Sequence, residues 1–456
     1  MKKCILISLL MSFVLWNSPS YAQKALTLDN AIRIALDNNP SIKINQSQIK
    51  EADAKHDQAY SNFLPQAEIL SKYFYTNNTS GLFALEGSSV PVLNNGTPTG
   101  DDIIMHSKAP FPILERDVLT MDMNMTYTLY AGGKRKNALE STNALKEAYQ
   151  KDLQETEGYL SLNIKTVFYN VLFLNEVLKV NEQALSQIQE HLTMAEISYQ
   201  EGVRSEFDVL MFKAKLKDFE SQLLELKSKK EITLDALKVL LNLPDTSSVI
   251  CLGTISNPIG YEMLSSEQLS GSIDTGNNKI QSLKAMKNVL SYKEKVEKAE
   301  NLPTLFAFGN YHVYHGLDTP PFDQAWRQGY AIGVGLKINL FDGNLSKSKA
   351  METRAGIEKM AAYEESFKLQ FKNKYLTSIH HIQSLNDQRE SVLNNLEVAN
   401  KAYKIAEVGY KNSVITTIEL NDTQLSITKV NVRLLNIEKD IVLEQANLEY
   451  LVGEIN

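Results

Sequence analysis

Histidine, cysteine and carboxylate side chains are the groups in this chain that could do chemistry, and their spacing denies most of it. His312 and His315 lie three apart in a segment that reads as a strand, where such positions face opposite sides. His380 and His381 are adjacent on a helical segment and diverge. Neither pair can readily share a metal ion, so these read as solvated or lumen-facing histidines. Of the two cysteines, Cys4 falls in an apolar leader and Cys251 is then alone. That leaves no intrachain disulfide and no thiol metal cluster. No nucleophile constellation is present either, so the expectation is a protein that is not an enzyme and takes no cofactor and no metal. A net charge of −7 without a Lys/Arg cluster argues against nucleic acid as a partner.

The elements that carry these residues come in duplicate. At an offset of 211 residues, Ala195-Glu196 meets Ala406-Glu407, Tyr199 meets Tyr410, Val203 meets Val414 and Leu240 meets Leu451. Leu64-Pro65 meets Leu302-Pro303 at an offset of 238, so the first copy carries 27 extra residues between those landmarks and Tyr130. Tandem repetition on this scale points to a symmetric object. Proline is absent between Pro112 and Pro244 and after Pro321. Such tracts suit long helices, because an interior proline costs ~3 kcal/mol. Apolar residues then recur at alternating spacings of four and three: Leu160, Ile164, Val167, Val171, Leu174 and Leu178 in one copy, Val392, Leu396, Ala399, Tyr403, Ala406 and Tyr410 in the other. That 3.5-residue period predicts helices supercoiled against partners. The 70 residues from Gly132 to Gly202 would span about 105 Å at ~1.5 Å per residue. Breaks near 202–206 and 412–417 read as hairpin tips.

Before each long helix the period becomes two. Met121, Met123, Met125, Tyr127 and Leu129 alternate with polar residues. Ile332, Val334, Leu336 and Ile338 alternate with small or polar ones. This length and alternation fit transmembrane β-strands, with those residues facing lipid. Their expected partners follow Pro65 and Pro303. The chain therefore divides into a signal peptide (1–22), a first repeat (23–243, strands at about 67–76 and 117–130), a polar linker (244–278) and a second repeat (279–456, strands at about 304–315 and 329–341). The signal rests on Lys2-Lys3, the apolar run Ile5 to Trp16 and the small-x-small site Ser20-Tyr21-Ala22. Four strands cannot close a barrel, and open edges are not tolerated in lipid, so chains must share one: two would give eight strands, three would give twelve.

At this point the motifs resemble those of the TolC-type outer-membrane efflux proteins. Leu28-Asp29-Asn30-Ala31 through Asn39-Pro40 is similar to the family's first helix, and Phe63-Leu64-Pro65 to its entry into the first strand. Tyr127-Thr128-Leu129-Tyr130-Ala131-Gly132-Gly133 and Ile338-Asn339-Leu340-Phe341-Asp342-Gly343-Asn344 resemble its strand-to-helix junctions. Ala195, Tyr199, Gly202 and Asp208-Val209-Leu210 resemble its hairpin tip. The resemblance implies a mixed α and β membrane protein: a homotrimer with a transmembrane β-barrel of four strands per chain and a long α-helical barrel of coiled-coil hairpins reaching into the periplasm. It implies a passive exit duct in the outer membrane, docked to a periplasmic adaptor and an inner-membrane transporter. It also implies an acidic periplasmic gate ring at Glu419 and Asp422, and an inter-hairpin latch of Asp208, Tyr410 and Arg204. Adaptor contacts would fall on Tyr199, Gly202, Val203, Val209, Leu210, Ser413 and Val414. Ile415 stands where the family often has arginine, and Ser413 where the first copy has glycine. The alternative is an exported coiled-coil spacer that does not conduct, which would have no use for the paired strands.

Overall fold

The computed structural model describes residues 24–75, 79–82, 89–94, 97–104, 111–255, 264–317 and 326–453. The signal peptide lies outside them, as do parts of the two strand-joining loops and of the linker. The chain order is β1 (Lys24–Leu26), α1 (Leu28–Asn38), α2 (Pro40–Ser61), β2 (Gln66–Phe74), β3 (Thr79–Leu82), β4 (Ser89–Asn94), β5 (Thr97–Ile104), β6 (Phe111–Ala131), α3 (Lys134–Gln200), α4 (Glu206–Leu241), β7 (Val249–Cys251), α5 (Ser266–Gly276), α6 (Asn278–Lys298), β8 (Thr304–Leu317), β9 (Arg327–Lys337), α7 (Leu345–Lys411) and α8 (Thr417–Val452). The duplication carries through to the backbone. Helices α3 and α7 have 67 residues each, α4 and α8 have 36 each, and every boundary is shifted by 211. Among the described residues no helix is long and apolar enough to cross a membrane.

Two compact units divide the chain. The first holds residues up to 52, 144–287 and from 358 onward. Here the four-three seam is buried: Leu160, Ile164, Val171, Leu178 and Ile188 in α3, and Phe371, Tyr375, Ile382, Leu385 and Val392 in α7. Each repeat builds its own core where its hairpin meets the shorter helices. In the first repeat, Leu26, Ala31, Ala35, Ile164, Phe168, Leu237 and Leu241 pack together. In the second, Leu269, Ile273, Ile280, Tyr375, Ile379, Leu448 and Val452 do the same. Between α1 and α2, Pro40 begins the second helix, where its fixed φ fits and its missing N–H is not needed.

The second unit, residues 53–143 and 288–357, holds an antiparallel sheet in the order β2-β6-β8-β9. Registers such as Ile69–Met123–Tyr311–Tyr330 and Ala67–Met125–Gly309–Ile332 put the alternating apolar residues on one face. That face is open: Met121, Met123, Met125, Tyr127 and Leu129 are all exposed, and Ile332 is 84% exposed. The opposite face is polar. Asn310 donates to Asn124 at 2.6 Å, and His312 Nδ1 lies 2.6 Å from Asp122. In β8, Phe306 and Phe308 join the polar face and lie over Gly335 and Gly333, where a Cβ would come within 2.5 and 2.9 Å of their rings. Strands β2 and β9 are the edges of this ladder. Between β2 and β6, β3 extends the pairing of β6, and β4 pairs with β5.

Candidate functional site

The two hairpin tips converge in the helical unit. Each long helix closes with a residue in the left-handed region, Gly202 at φ 74° and Ser413 at φ 59°. The turns match bond for bond: Val203 N–H donates to Ser198 O at 2.9 Å, and Val414 N–H to Gly409 O at 2.8 Å. The next helix starts in each case on a capping box, Ser205 with Asp208 and Thr416 with Glu419. Both boxes satisfy amide donors that a helix start leaves free.

The tips are joined by three kinds of contact. Arg204 donates through Nη2 to Tyr410 O at 2.9 Å and Ile415 O at 3.2 Å. Its guanidinium also lies 4.3 Å from the centre of the Tyr410 ring. Arg204 and Ile415 are equivalent under the 211-residue offset, so the arginine missing from the second copy is supplied by the first. Asp208 accepts a hydrogen bond from the Thr417 hydroxyl as well as from Ser205 at 2.8 Å. Burial raises the Asp208 pKa, but those bonds, with the nearby Arg204 charge, outweigh it and leave the carboxyl below its ordinary value. Beneath them, Ala195, Val209 and Phe212 of the first hairpin pack on Tyr403, Ala406, Tyr410 and Leu420 of the second. Among the described residues the Tyr410 hydroxyl meets no hydrogen-bond partner in good geometry, Asp208 included; burial pushes its pKa up, partly offset by the nearby Thr417 side chain and the Arg204 charge.

The remaining sequence-derived residues are placed as follows. Glu419 and Asp422 are both exposed on the first turns of α8. The Glu419 carboxylate accepts from Thr416 N–H and hydroxyl, each at 2.8 Å, which holds its pKa below the ordinary value. Tyr199, Gly202, Val203, Leu210, Ser413 and Val414 are exposed, whereas Val209 is buried in the tip cluster. Thr417 and His191 were missed by sequence reasoning. Thr417 partners a residue 209 positions away, and His191 sits one place beside the four-three seam, so neither had a local signal.

Sheet and hairpins together have the fold of channel proteins that combine an α-helical barrel with a β-domain. The chain belongs to the outer membrane efflux protein family, whose sequence profile matches residues 31–243 and 272–454. No curated protein sequence matches it significantly. Solved structures do. The outer membrane protein VceC of Vibrio cholerae aligns with a TM-score of 0.72 at 16% identity, over 93% of this chain and 96% of that one. The CmeC outer membrane channel of Campylobacter jejuni gives 0.71 at 15% identity, over 94% and 85%. The open state of the MtrE outer membrane channel of Neisseria gonorrhoeae gives 0.72 at 14% identity, over 93% and 88%.

Proposed function

We propose that three copies of this chain form an outer-membrane duct whose helical part extends into the periplasm. The observation that carries this reading is the four-stranded sheet with an exposed apolar face and β2 and β9 as its edges. In lipid each unpaired backbone group costs several kcal/mol, so the edges must pair with other chains. Three chains give twelve strands, enough to enclose a water-filled lumen lined by the polar face. Met121, Met123, Met125, Tyr127, Leu129, Ile332, Val334 and Leu336 then face lipid; Ile338, expected among them, lies past the end of β9 at Lys337.

The duct does no chemistry. A periplasmic adaptor holds the exposed tip residues Tyr199, Gly202, Val203, Leu210, Ser413 and Val414, and an inner-membrane transporter supplies the energy. Arg204, Asp208, Thr417 and Tyr410 latch the two hairpins together in the closed state. Asp422 and Glu419, repeated by the symmetry of the assembly, form a carboxylate ring that concentrates cations. The purified full-length protein in planar bilayers tests this. A trimer on unheated gels and discrete conductance steps are expected; a stable chain that never conducts would leave only a periplasmic spacer.

A further inference from the structure

One titratable group inside the tip has no part in the duct as described. His191 of α3 is 3% exposed and sits in a cage of aromatic rings from two other helices. Phe212 of α4 lies 5.9 Å away between ring centres, and Tyr403 and Tyr410 of α7 lie at 6.3 and 6.5 Å. Its Nε2 is 3.1 Å from the Tyr403 hydroxyl, and its Nδ1 makes no hydrogen bond among the described residues. We propose that His191 is an acid sensor: its protonation drives the two hairpin tips apart. The inference rests on reading the tips as a gate, and adds the signal that opens it.

A neutral imidazole has one donor and one acceptor nitrogen; with Nε2–H donating to the Tyr403 hydroxyl, only the Nδ1 acceptor is left unpaired. A protonated ring carries two N–H donors. The second donor would point into an aromatic cage, and the charge would be buried away from water. The ring faces could offset part of that cost by cation–π attraction. The charged groups around the cage do not supply a direct partner. Glu190 on its own helix and Glu407 on α7 favour the charged form, and Lys411 on α7 opposes it. Phe212 from α4 and Leu420 from α8 bring no charge. Arg204 and Asp208 act one layer further out, on Tyr410. Burial is the largest influence and holds the His191 pKa below its ordinary 6.5.

The sign follows. Closing the tips releases a proton from any His191 that is charged in the open state. Closure is unaffected well above pH 6.5 and becomes less favourable as pH falls from there towards the depressed value. Within that window the open-to-closed ratio rises by up to about tenfold per pH unit. The same cage explains the leverage. His191 touches Tyr403 and Tyr410, and the Tyr410 carbonyl and ring are what Arg204 grips from the other hairpin.

Spin labels at Glu201→Cys and Asn412→Cys, in a Cys251→Ser background of the full chain in detergent, would report tip separation at pH 7.5 and pH 5. A longer distance should grow in at the lower pH, and His191→Phe, which fills the cage without titrating, should hold the short distance at both. His191→Gln, which is neutral and keeps a polar atom towards Tyr403, should behave likewise. An unchanged distance in the parent chain, or an acid response that survives in both variants, would overturn the proposal. Conductance recorded in parallel separates the two readings: tips that part in acid without any change in current leave the sensor standing and remove the gate.

Discussion

At the residue scale, equivalent positions in the two tips have the same backbone and different side chains. Ser413 adopts φ 59°, the conformation its counterpart Gly202 holds at 74°. A residue with a Cβ pays roughly 1 kcal/mol or more in that region. Ser413→Gly is therefore expected to stabilise the second tip by about 1 kcal/mol, read as slower amide exchange at residues 409–417. Glu419 and Asp422 differ in another way. The Glu419 carboxylate is committed to the Thr416 cap, whereas Asp422 makes no hydrogen bond or ion pair among the described residues. Glutamine also serves in a capping box, so Glu419→Gln removes charge while keeping the helix start. Under the ring hypothesis, Asp422→Asn should weaken block of the current by added divalent cations more than Glu419→Gln does. Equal and undiminished block in both variants would end the idea of an acidic ring. Asp208 adds a pH dependence of the ordinary acidic sign. Its folded pKa is depressed, so its contribution to the latch is complete above its ordinary value near 3.8 and fades as pH falls through the lower folded one. Under the proposal above, a loosening of the tips that sets in below pH 6.5 comes from His191, because that of Asp208 sets in only below 3.8.

At the element scale, the sheet and the hairpins show which parts of the fold were legible in the sequence. The helix lengths were, because a 211-residue offset transfers every boundary and the four-three spacing marks the buried stripe. The strands before α3 and α7 were visible in their alternation. Strand β8 was placed at about 304–315, but which residues face which side was not visible, because Phe306 and Phe308 sit on the polar face where the period predicts small or polar residues. Their place is explained only by the neighbouring strand: each ring occupies the space that Gly335 or Gly333 leaves open. That arrangement predicts an outcome. Gly335→Val would put a side chain where the Phe306 ring lies, and the β8–β9 pairing should fail. Loss of the slow-migrating, heat-sensitive species on gels is expected, with Gly335→Val/Phe306→Gly restoring part of it. The contacts between the tips were legible only through the family resemblance, which pointed to Arg204, Asp208 and Tyr410 but not to Thr417. Arg204 and Tyr410 are 206 residues apart, and Asp208 and Thr417 are 209 apart, in pairs that only the packed hairpins bring together. Sequence pattern finds the faces of elements, and the contacts between repeats depend on how those faces meet.

At the scale of the whole molecule, the proposed duct leaves each duplicated chain with only part of a barrel and hands the rest to its neighbours. Each chain contributes two strand pairs in one sheet, and the sheet ends on β2 and β9. Under the proposed function, hydrogen bonding across those ends repeats from chain to chain until the ring closes, and the number of chains is set by when it does. The edges can be made to report that number. A cysteine at Ser71 on β2, set against single cysteines along β9 from Gln328 to Leu336, should form disulfides only where the Cα atoms of neighbouring chains come within about 7 Å. Native Cys251 will not compete: burial pushes its pKa up to about 11, so it is almost wholly protonated near neutral pH. In a ring of three, oxidation should yield linked dimers and trimers, with the trimer as the largest product and complete linkage making it resistant to heating. Eight strands from two chains would stop the ladder at the dimer. An open-ended stack would continue past three, and a spacer without a shared barrel would give no ladder at all. Because linkage reads edge pairing directly, it decides the assembly whether or not the pore conducts under the conditions chosen.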